Sequence, residues 1–407
     1  MKRFLLLTLA LLFALTACAE RGTPEFIPED APHENGTACE VVIRCAGDFV
    51  IHKNVYDAAK KHGGGKTYDF FPMLENVAAY MAQADFTVTN VDGVLGTDDF
   101  VKKYGYGGYP SFSTPASLID AIRDCGADML TLANNHALDY WYDGLKSTVT
   151  SVEARHLLSI GGYRTKEEKL TPRVVDIGGI RFGFLNYTDG LNQMDKRSAL
   201  DKAALEYGVD FLERANVPAD IRRLREAGAE IIVCFMHWGV EYRTEPCTSQ
   251  KTNAQMLADA GVDVIIGGHP HMVQRAEYLY TKGDDGKPKE VLCLYSLGNF
   301  LTDQRAEGKD CGIIFDFTVR KDEKGNITVH DPVYRTTWVW RHYNGGTFDY
   351  KVFFTDDNPE KPAGMSNADY RRMLESKSDI DALMHEGCAI SAMLVGEEAA
   401  MLGTPER

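Results

Sequence analysis

Short apolar runs recur along this chain, and each stops abruptly at glycine, aspartate, asparagine or histidine. Val41-Val42-Ile43-Arg44-Cys45-Ala46, Phe86-Thr87-Val88-Thr89 and Met129-Leu130-Thr131-Leu132 are three of them. Ile231-Ile232-Val233-Cys234-Phe235-Met236 and Val262-Asp263-Val264-Ile265-Ile266 are two more. Their short length and β-branched content predict buried strands. Between them, residues 54–61, 72–84, 115–125, 218–227 and 252–260 read as helices. Pro115 suits a first helical position, and Gly228 and Gly261 suit helix stops. Strands alternating with helices predict an α/β sandwich. Gly178-Gly179 and Lys324-Gly325-Asn326 read as hairpin turns, so the sheets are expected to be mixed.

What stands at the run ends carries the chemistry. Asp48 follows the first, with His52 four residues on; Asn90-Val91-Asp92-Gly93 follows the second. Asn134-Asn135-His136 follows the third, His237-Trp238-Gly239 the fourth, and Gly267-Gly268-His269-Pro270-His271 the fifth. Any one has an ordinary reading: an Asp or Asn caps a helix or forms a turn, and His237 beside Trp238 is a partly buried histidine. Together they supply only oxygen and imidazole donors, at the carboxyl ends of strands where open α/β sheets bind ligands. Without thiolate, this set suits Zn, Mn, Fe or Ni. Asp48, His52, Asp92, Asn135, His237, His269 and His271 are too many for one ion and fit two, with one carboxylate bridging. Two adjacent ions clamp the attacking and leaving oxygens of a displacement and generate hydroxide from water, as in phosphoesterases. Pro270 is expected to bias His269 towards an extended backbone.

Gly47-Asp48, Asn90-Val91-Asp92, Leu132-Ala133-Asn134-Asn135-His136-Ala137-Leu138-Asp139-Tyr140 and His237-Trp238-Gly239-Val240-Glu241-Tyr242 occur in this order. Gly268-His269-Pro270-His271 and Tyr295-Ser296-Leu297-Gly298-Asn299-Phe300 follow. This series, running from about Val41 to about Tyr343, resembles the CapA family of capsule and poly-γ-glutamate synthesis proteins, a branch of the calcineurin-like metallophosphoesterases. The resemblance implies a metallophosphoesterase-like α/β sandwich of two mixed β-sheets flanked by helices. It implies two divalent ions (Mn, Zn or Fe): Asp48, His271 and His52 on the first, Asn135, His237 and His269 on the second, Asp92 bridging. His136 corresponds to the histidine that gives a proton to the leaving group. The implied function is capsule or poly-γ-glutamate biosynthesis, by a metal-dependent hydrolase of a phosphoester or amide-linked envelope polymer working beside capsule-synthesis membrane proteins. The alternative is a non-catalytic assembly or export factor that keeps the fold. Two departures stand out. The family usually has glutamate where this chain has Asp92, and the superfamily places Asp and His two residues apart rather than four, which makes His52 the least secure ligand.

The N-terminus adds a location. Met1-Lys2-Arg3, an apolar run over residues 4–15 and Leu15-Thr16-Ala17-Cys18 have the layout of a lipoprotein signal peptide, residues 1–18, with Cys18 lipidated. That predicts a bacterial cell-envelope protein anchored to a membrane by lipid. Residues 19–40 then read as a flexible tether, 41–345 as the metallophosphoesterase-like domain, and 346–407 as a helical extension without chemistry, its helix within 366–387. Residues 101–110, rich in Tyr and Gly, read as a mobile aromatic loop over the site. A net charge of −15 argues against nucleic acid as a partner. It also disfavours a polyanionic substrate unless bound metals supply local positive charge; Arg44, Lys102, Lys103, Arg243 and Arg275 are the basic residues near the motifs. The nine cysteines include no CxxC; Cys45, Cys234 and Cys293 read as buried thiols, and Cys39 and Cys388 are the pair to test for a disulfide.

Overall fold

The computed structural model describes residues 23–28, 38–283, 286–356, 360–385 and 391–392. Cys18 and Cys388 lie outside them.

Two mixed sheets pack face to face. The first runs in the order β16 (Thr347–Phe354), β15 (Ile327–Asn344), β14 (Cys311–Lys321), β1 (Cys39–Val50), β2 (Phe86–Val91), β5 (Met129–Thr131) and β6 (Leu158–Ile160). β13 (Asn299–Thr302) also pairs with β1, and β17 (Ser391–Ala392) with β15. The second sheet runs β11 (Val273–Lys282), β12 (Pro288–Leu297), β10 (Val264–Gly268), β9 (Ile231–His237), β8 (Ile180–Thr188) and β7 (Val174–Ile177). β3 (Val94–Gly96) and β4 (Ser113–Pro115) form a small pair of their own. β1, β2, β5 and β6 are parallel, as are β8, β9, β10 and β12, while β14, β15 and β16 in the first sheet and β11 and β7 in the second pair antiparallel. Both hairpins expected from the sequence are present, joining β7 to β8 and β14 to β15.

The continuous apolar runs follow from burial on both faces. In β9, Ile231, Val233 and Phe235 enter the core between the sheets, while Ile232, Cys234 and Met236 enter the outer core. β10 divides the same way, Val264 and Ile266 inward and Ile265 outward. Fully burying a side chain of this size contributes roughly 1.5–3 kcal/mol, so a strand slipped by one residue would still be apolar but would mismatch both layers. Helices Val217–Glu226 and Thr248–Ala260 cover the second sheet through Ile221, Leu224, Ala254 and Leu257. Helices Lys53–His62, Phe71–Met81, Ser117–Asp124 and Trp141–Glu153 cover the first through Val55, Leu74, Ile119 and Val152. Ser117–Asp124 begins two residues later than the sequence suggests, because Pro115 ends β4.

The C-terminal region departs from the expected division at residue 345. Gly345 and Gly346 turn with positive φ (56° and 97°), and β16 pairs with β15 from Asn344↔Thr347 to Thr337↔Phe354, extending the first sheet. Helix Asn367–His385 sets Met373, Ile380 and Met384 into the inter-sheet core, against β11 and β15. Part of the expected tether is also docked: Ile27 N donates to Val174 O at 2.8 Å, and Phe26 packs under the Arg173 guanidinium. None of the described helices is long and apolar enough to cross a membrane.

Candidate metal centre

Because the central strands of each sheet are parallel, their carboxyl ends gather at one edge of the sandwich, and six of the expected residues meet there. Asp48 lies near the carboxyl end of β1, Asp92 follows β2, Asn135 follows β5, His237 ends β9, and His269 and His271 follow β10. The first sheet therefore contributes the two carboxylates and the amide, and the second all three imidazoles.

Asp48 is held from several sides. Its Oδ1 accepts from Asn90 Nδ2 at 2.8 Å and its Oδ2 from His269 N at 3.1 Å, and its own N donates to Gly298 O at 2.9 Å. Asn90 in turn accepts from Thr131 Oγ1 at 3.1 Å. A Cβ on Gly268 would stand 2.9 Å from Asp48 Oδ1, so a glycine is needed for this approach. His271 bridges the two acids, its Nδ1 3.4 Å from Asp48 Oδ2 and its Nε2 3.8 Å from Asp92 Oδ2. His237 Nε2 faces three polar atoms: Asn135 Oδ1 at 2.8 Å, His269 Nδ1 at 3.1 Å and Asp92 Oδ1 at 3.9 Å. Asp92 is buried, and neither of its carboxylate oxygens has a hydrogen-bond partner.

The backbone at the histidine pair is strained rather than extended. His269 has φ 93° and His271 φ 56°, a region costing on the order of 1–3 kcal/mol for a side chain with a Cβ. Pro270 thus does not hold His269 in the expected extended form. The turn instead directs one ring at His237 and the other between the two carboxylates, and Pro270 O accepts from Tyr242 N at 2.7 Å. Burial holds the His237 imidazole far below its ordinary range, with His269 adding to the effect; burial and His271 bring His269 down to about 4. Both rings are therefore neutral near pH 7, with lone pairs free to ligate. Burial pushes Asp92 up to about 6; it works against the charge of Asp48 too, but there the contacts with His271, His237 and the His269 N–H prevail and lower it to about 2.

Burial lowers and the Asp48 contact raises the His271 imidazole, with a net rise; buried oxygens without hydrogen-bond partners, beside the neutral rings of His237 and His269, suit a divalent cation. No three His, Cys, Asp or Glu side chains among the described residues close on one point, so the donors surround the space loosely. His52 stays apart at the rim, its Nδ1 3.1 Å from Val50 O and its ring edge-on to Phe112 at 5.3 Å.

His136 is arranged differently. Its Nδ1 lies 2.7 Å from Asp139 Oδ2, which also accepts from Phe112 N at 2.7 Å, and its ring stands edge-on to Phe112 at 4.8 Å. Burial alone would lower its pKa, but the charge of Asp92 and the bond to Asp139 outweigh it and raise the ring to about 8. Asp139 stands in the motif three residues from His136, a spacing that by itself assigns it no role. Asn186 left no signal there, yet its Oδ1 takes Leu132 N and Ala133 N, at 3.1 and 2.7 Å, while its Nδ2 donates to Phe235 O at 3.2 Å. It ties the loop carrying Asn135 and His136 across to the second sheet. A cleft of about 530 Å³ opens beside His136, walled by Tyr109, Trp141 and Tyr242. Of the expected mobile loop, Tyr104 and Tyr106 are packed, against Phe100 and Tyr140 and against Tyr56 and Tyr68 respectively; Tyr109, 77% exposed, reaches the cleft. Arg44 is buried in an ion pair with Asp316, and Lys102, Lys103 and Arg275 pair with carboxylates.

The fold and site define a two-sheet α/β protein with a cluster of oxygen and imidazole donors at its strand ends. The family model described as bacterial capsule synthesis protein PGA_cap matches residues 42–304, and the chain belongs to that family. It is 24% identical over 274 residues to the capsule biosynthesis protein CapA of Bacillus anthracis, covering 67% of this chain and 62% of that one. To the PGA biosynthesis protein CapA of Bacillus subtilis it is 27% identical over 216 residues, 52% of each chain. The chain thus spans less than two thirds of the length of these curated relatives. Among solved structures, the NAD nucleotidase NadN of Haemophilus influenzae aligns over 90% of this chain and 59% of its own, with a TM-score of 0.42 and 13% identity.

Proposed function

We propose that this capsule-synthesis family member is a dinuclear metal-dependent hydrolase of the bacterial cell envelope, cleaving an ester or amide bond of a capsule polymer or its precursor. The observation that carries this reading is Asp92, whose two buried, unpartnered oxygens face His237 on one side and His271 on the other. Asp48 and His271 would hold one ion, Asn135, His237 and His269 the other, with Asp92 between them; His52, at the rim, is the weakest candidate. Divalent ions of the Mn, Zn or Fe type would supply an activated water and positive charge for a developing oxyanion. The protein's own part is proton transfer. Asp139 accepts the Nδ1 proton of His136 and so fixes the ring's orientation. The bond to Asp139 favours the charged ring, whose Nε2–H can be given to a leaving atom in the cleft.

The test is elemental analysis after reconstitution with Mn²⁺ or Zn²⁺, with phosphomonoester, phosphodiester and amide-linked glutamate substrates assayed alongside. Up to two ions per chain are expected in the parent, and most are lost in Asp92→Ala. A parent that binds no metal, or an Asp92→Ala variant that binds as well, overturns the reading. A second reading, a non-catalytic assembly or export factor, draws on the loose, unclosed donor set; metal bound without turnover of any substrate would favour it. Envelope anchoring is part of the proposal and rests on Leu15-Thr16-Ala17-Cys18. Cys18→Ala should leave the membrane fraction with its folded domain intact, and a processed variant still on membranes would refute lipidation at that residue.

A further inference from the structure

β8 reaches the same edge of the sandwich as β9, with Thr188 in register with His237, yet its end supplies no candidate ligand. The turn that follows, Asp189-Gly190-Leu191-Asn192-Gln193, is nevertheless tied to the site. Asp189 N donates to His237 O at 3.1 Å, and Asp189 Oδ2 accepts from Gly239 N at 3.0 Å. Leu191 and Met194 enter the small core that also holds Ala133, Ala137 and Leu138, on either side of Asn135 and His136 in the chain. Between these anchors Asn192 and Gln193 turn with φ 47° and 60°. Asparagine is one of the few residues that enter this left-handed region readily.

The Asn192 side chain meets two groups at once. Its Oδ1 accepts from Asn135 Nδ2 at 3.1 Å, and its Nδ2 flanks the His136 ring, 3.4 Å from Nδ1 and 3.5 Å from Nε2. The first contact decides which end of the Asn135 amide faces His237. A carboxamide ligates a cation through its oxygen, whereas its NH2 end presents only donors. An acceptor holds that NH2 end here, so Asn135 Oδ1 is left facing His237 Nε2, 2.8 Å away. Asn135 is buried, while Asn192 is exposed on the wall of the cleft. Water in place of Asn192 would donate as well as accept, and would select neither orientation. Resting on the dinuclear reading above, we infer that Asn192 is a positioning residue, orienting the Asn135 amide for the ion that Asn135, His237 and His269 would share.

Calorimetric titration of the chelator-treated full chain with Mn²⁺ tests this. The parent should show two binding steps. Asn192→Ala and Asn192→Gly should each weaken one step by about 10–100-fold, the usual effect of losing a group that orients a ligand, and leave the other nearly unchanged. Glycine accepts the left-handed backbone, so the two variants together separate the amide from the strain. In an Asn135→Ala background the same Asn192→Gly change should cost nothing further, because no amide is left to orient. A thermal melt in chelator checks that each variant is folded. Unchanged affinity in Asn192→Gly, a loss confined to Asn192→Ala, or an undiminished loss in the Asn135→Ala background overturns the inference. A parent that binds no metal defeats the dinuclear reading and this one with it. Otherwise the two fail separately: a protein that holds two ions but turns over no substrate loses only the hydrolase reading, and a hydrolase whose metal affinity ignores Asn192 loses only this one.

Discussion

Two regions of this molecule bury charge, and they do it in opposite ways. On the helix-covered side of the first sheet, Arg44 is fully buried yet fully engaged. Its Nε and Nη2 reach the two oxygens of Asp316 at 2.8 and 2.6 Å, and its guanidinium lies 3.4 Å from the Tyr80 ring centroid. Asp316 takes a further bond from Tyr80 Oη at 2.9 Å. At the strand ends, Asp92 is equally buried and neither oxygen is hydrogen-bonded, while three imidazoles crowd the space beside it. A buried charge whose partners are all present is part of the scaffold. A buried charge left without partners by its own chain is arranged for something that binds.

The comparison breaks first at Arg44. Asp316→Ala leaves a buried guanidinium uncompensated and should cost about 3–5 kcal/mol in urea unfolding, whereas replacing both residues by apolar ones of similar volume should recover most of it. Loss no greater than that of a surface pair would show that the cluster is not structural. At His136 the expected effect is on rate. His136→Ala should lower turnover by roughly 10²–10⁴-fold with metal content near normal, and loss of metal would recast His136 as a ligand. Asp92 should behave in the opposite sense to Asp316: in chelator-treated protein, Asp92→Asn should raise stability by about 1–3 kcal/mol, because it removes a buried charge whose oxygens have no hydrogen-bond partner. A destabilised variant would place Asp92 with the scaffold.

The smallest effect concerns a third charged contact, His62 Nε2 to Asp349 Oδ1 at 2.9 Å, between helix Lys53–His62 and β16. The bond to Asp349 raises His62 above its ordinary 6.5; Asp349, despite its burial, is lowered from 3.8 chiefly by His62. The Asp349 contribution is present above 3.8 and lost as pH falls; the His62 contribution is present below 6.5 and lost as pH rises through the folded value. The contact should therefore stabilise most between about pH 4 and 6.5, by no more than about 1 kcal/mol. His62→Ala should flatten the stability profile in that window, and a change confined to alkaline pH would refute the assignment.

The five strands whose ends carry the candidate ligands, the five helices read between them, the hairpins at Gly178-Gly179 and Lys324-Gly325-Asn326, and the residues gathered at the strand ends were legible in the chain itself, whereas helix Trp141–Glu153 and the short strands β3, β4 and β6 were not. Local patterns encode them: period-two burial on both strand faces, glycine at turns, and Asp, Asn or His where each apolar run stops. Tertiary structure alone decided the rest. The pairing of β16 with β15 depends on contacts across a turn that no apolar period marks, and the role of Asn186 depends on a second sheet lying 53 residues away in sequence from Ala133. The positive φ of His269 and His271 was hidden for the same reason. Proline's local bias favours an extended residue before it, and only the packing of both rings against Asp48, Asp92 and His237 overrides it. A sequence carries the donors and the strands that present them; how far apart they stand, and which remain without partners, is set by the two sheets closing on each other.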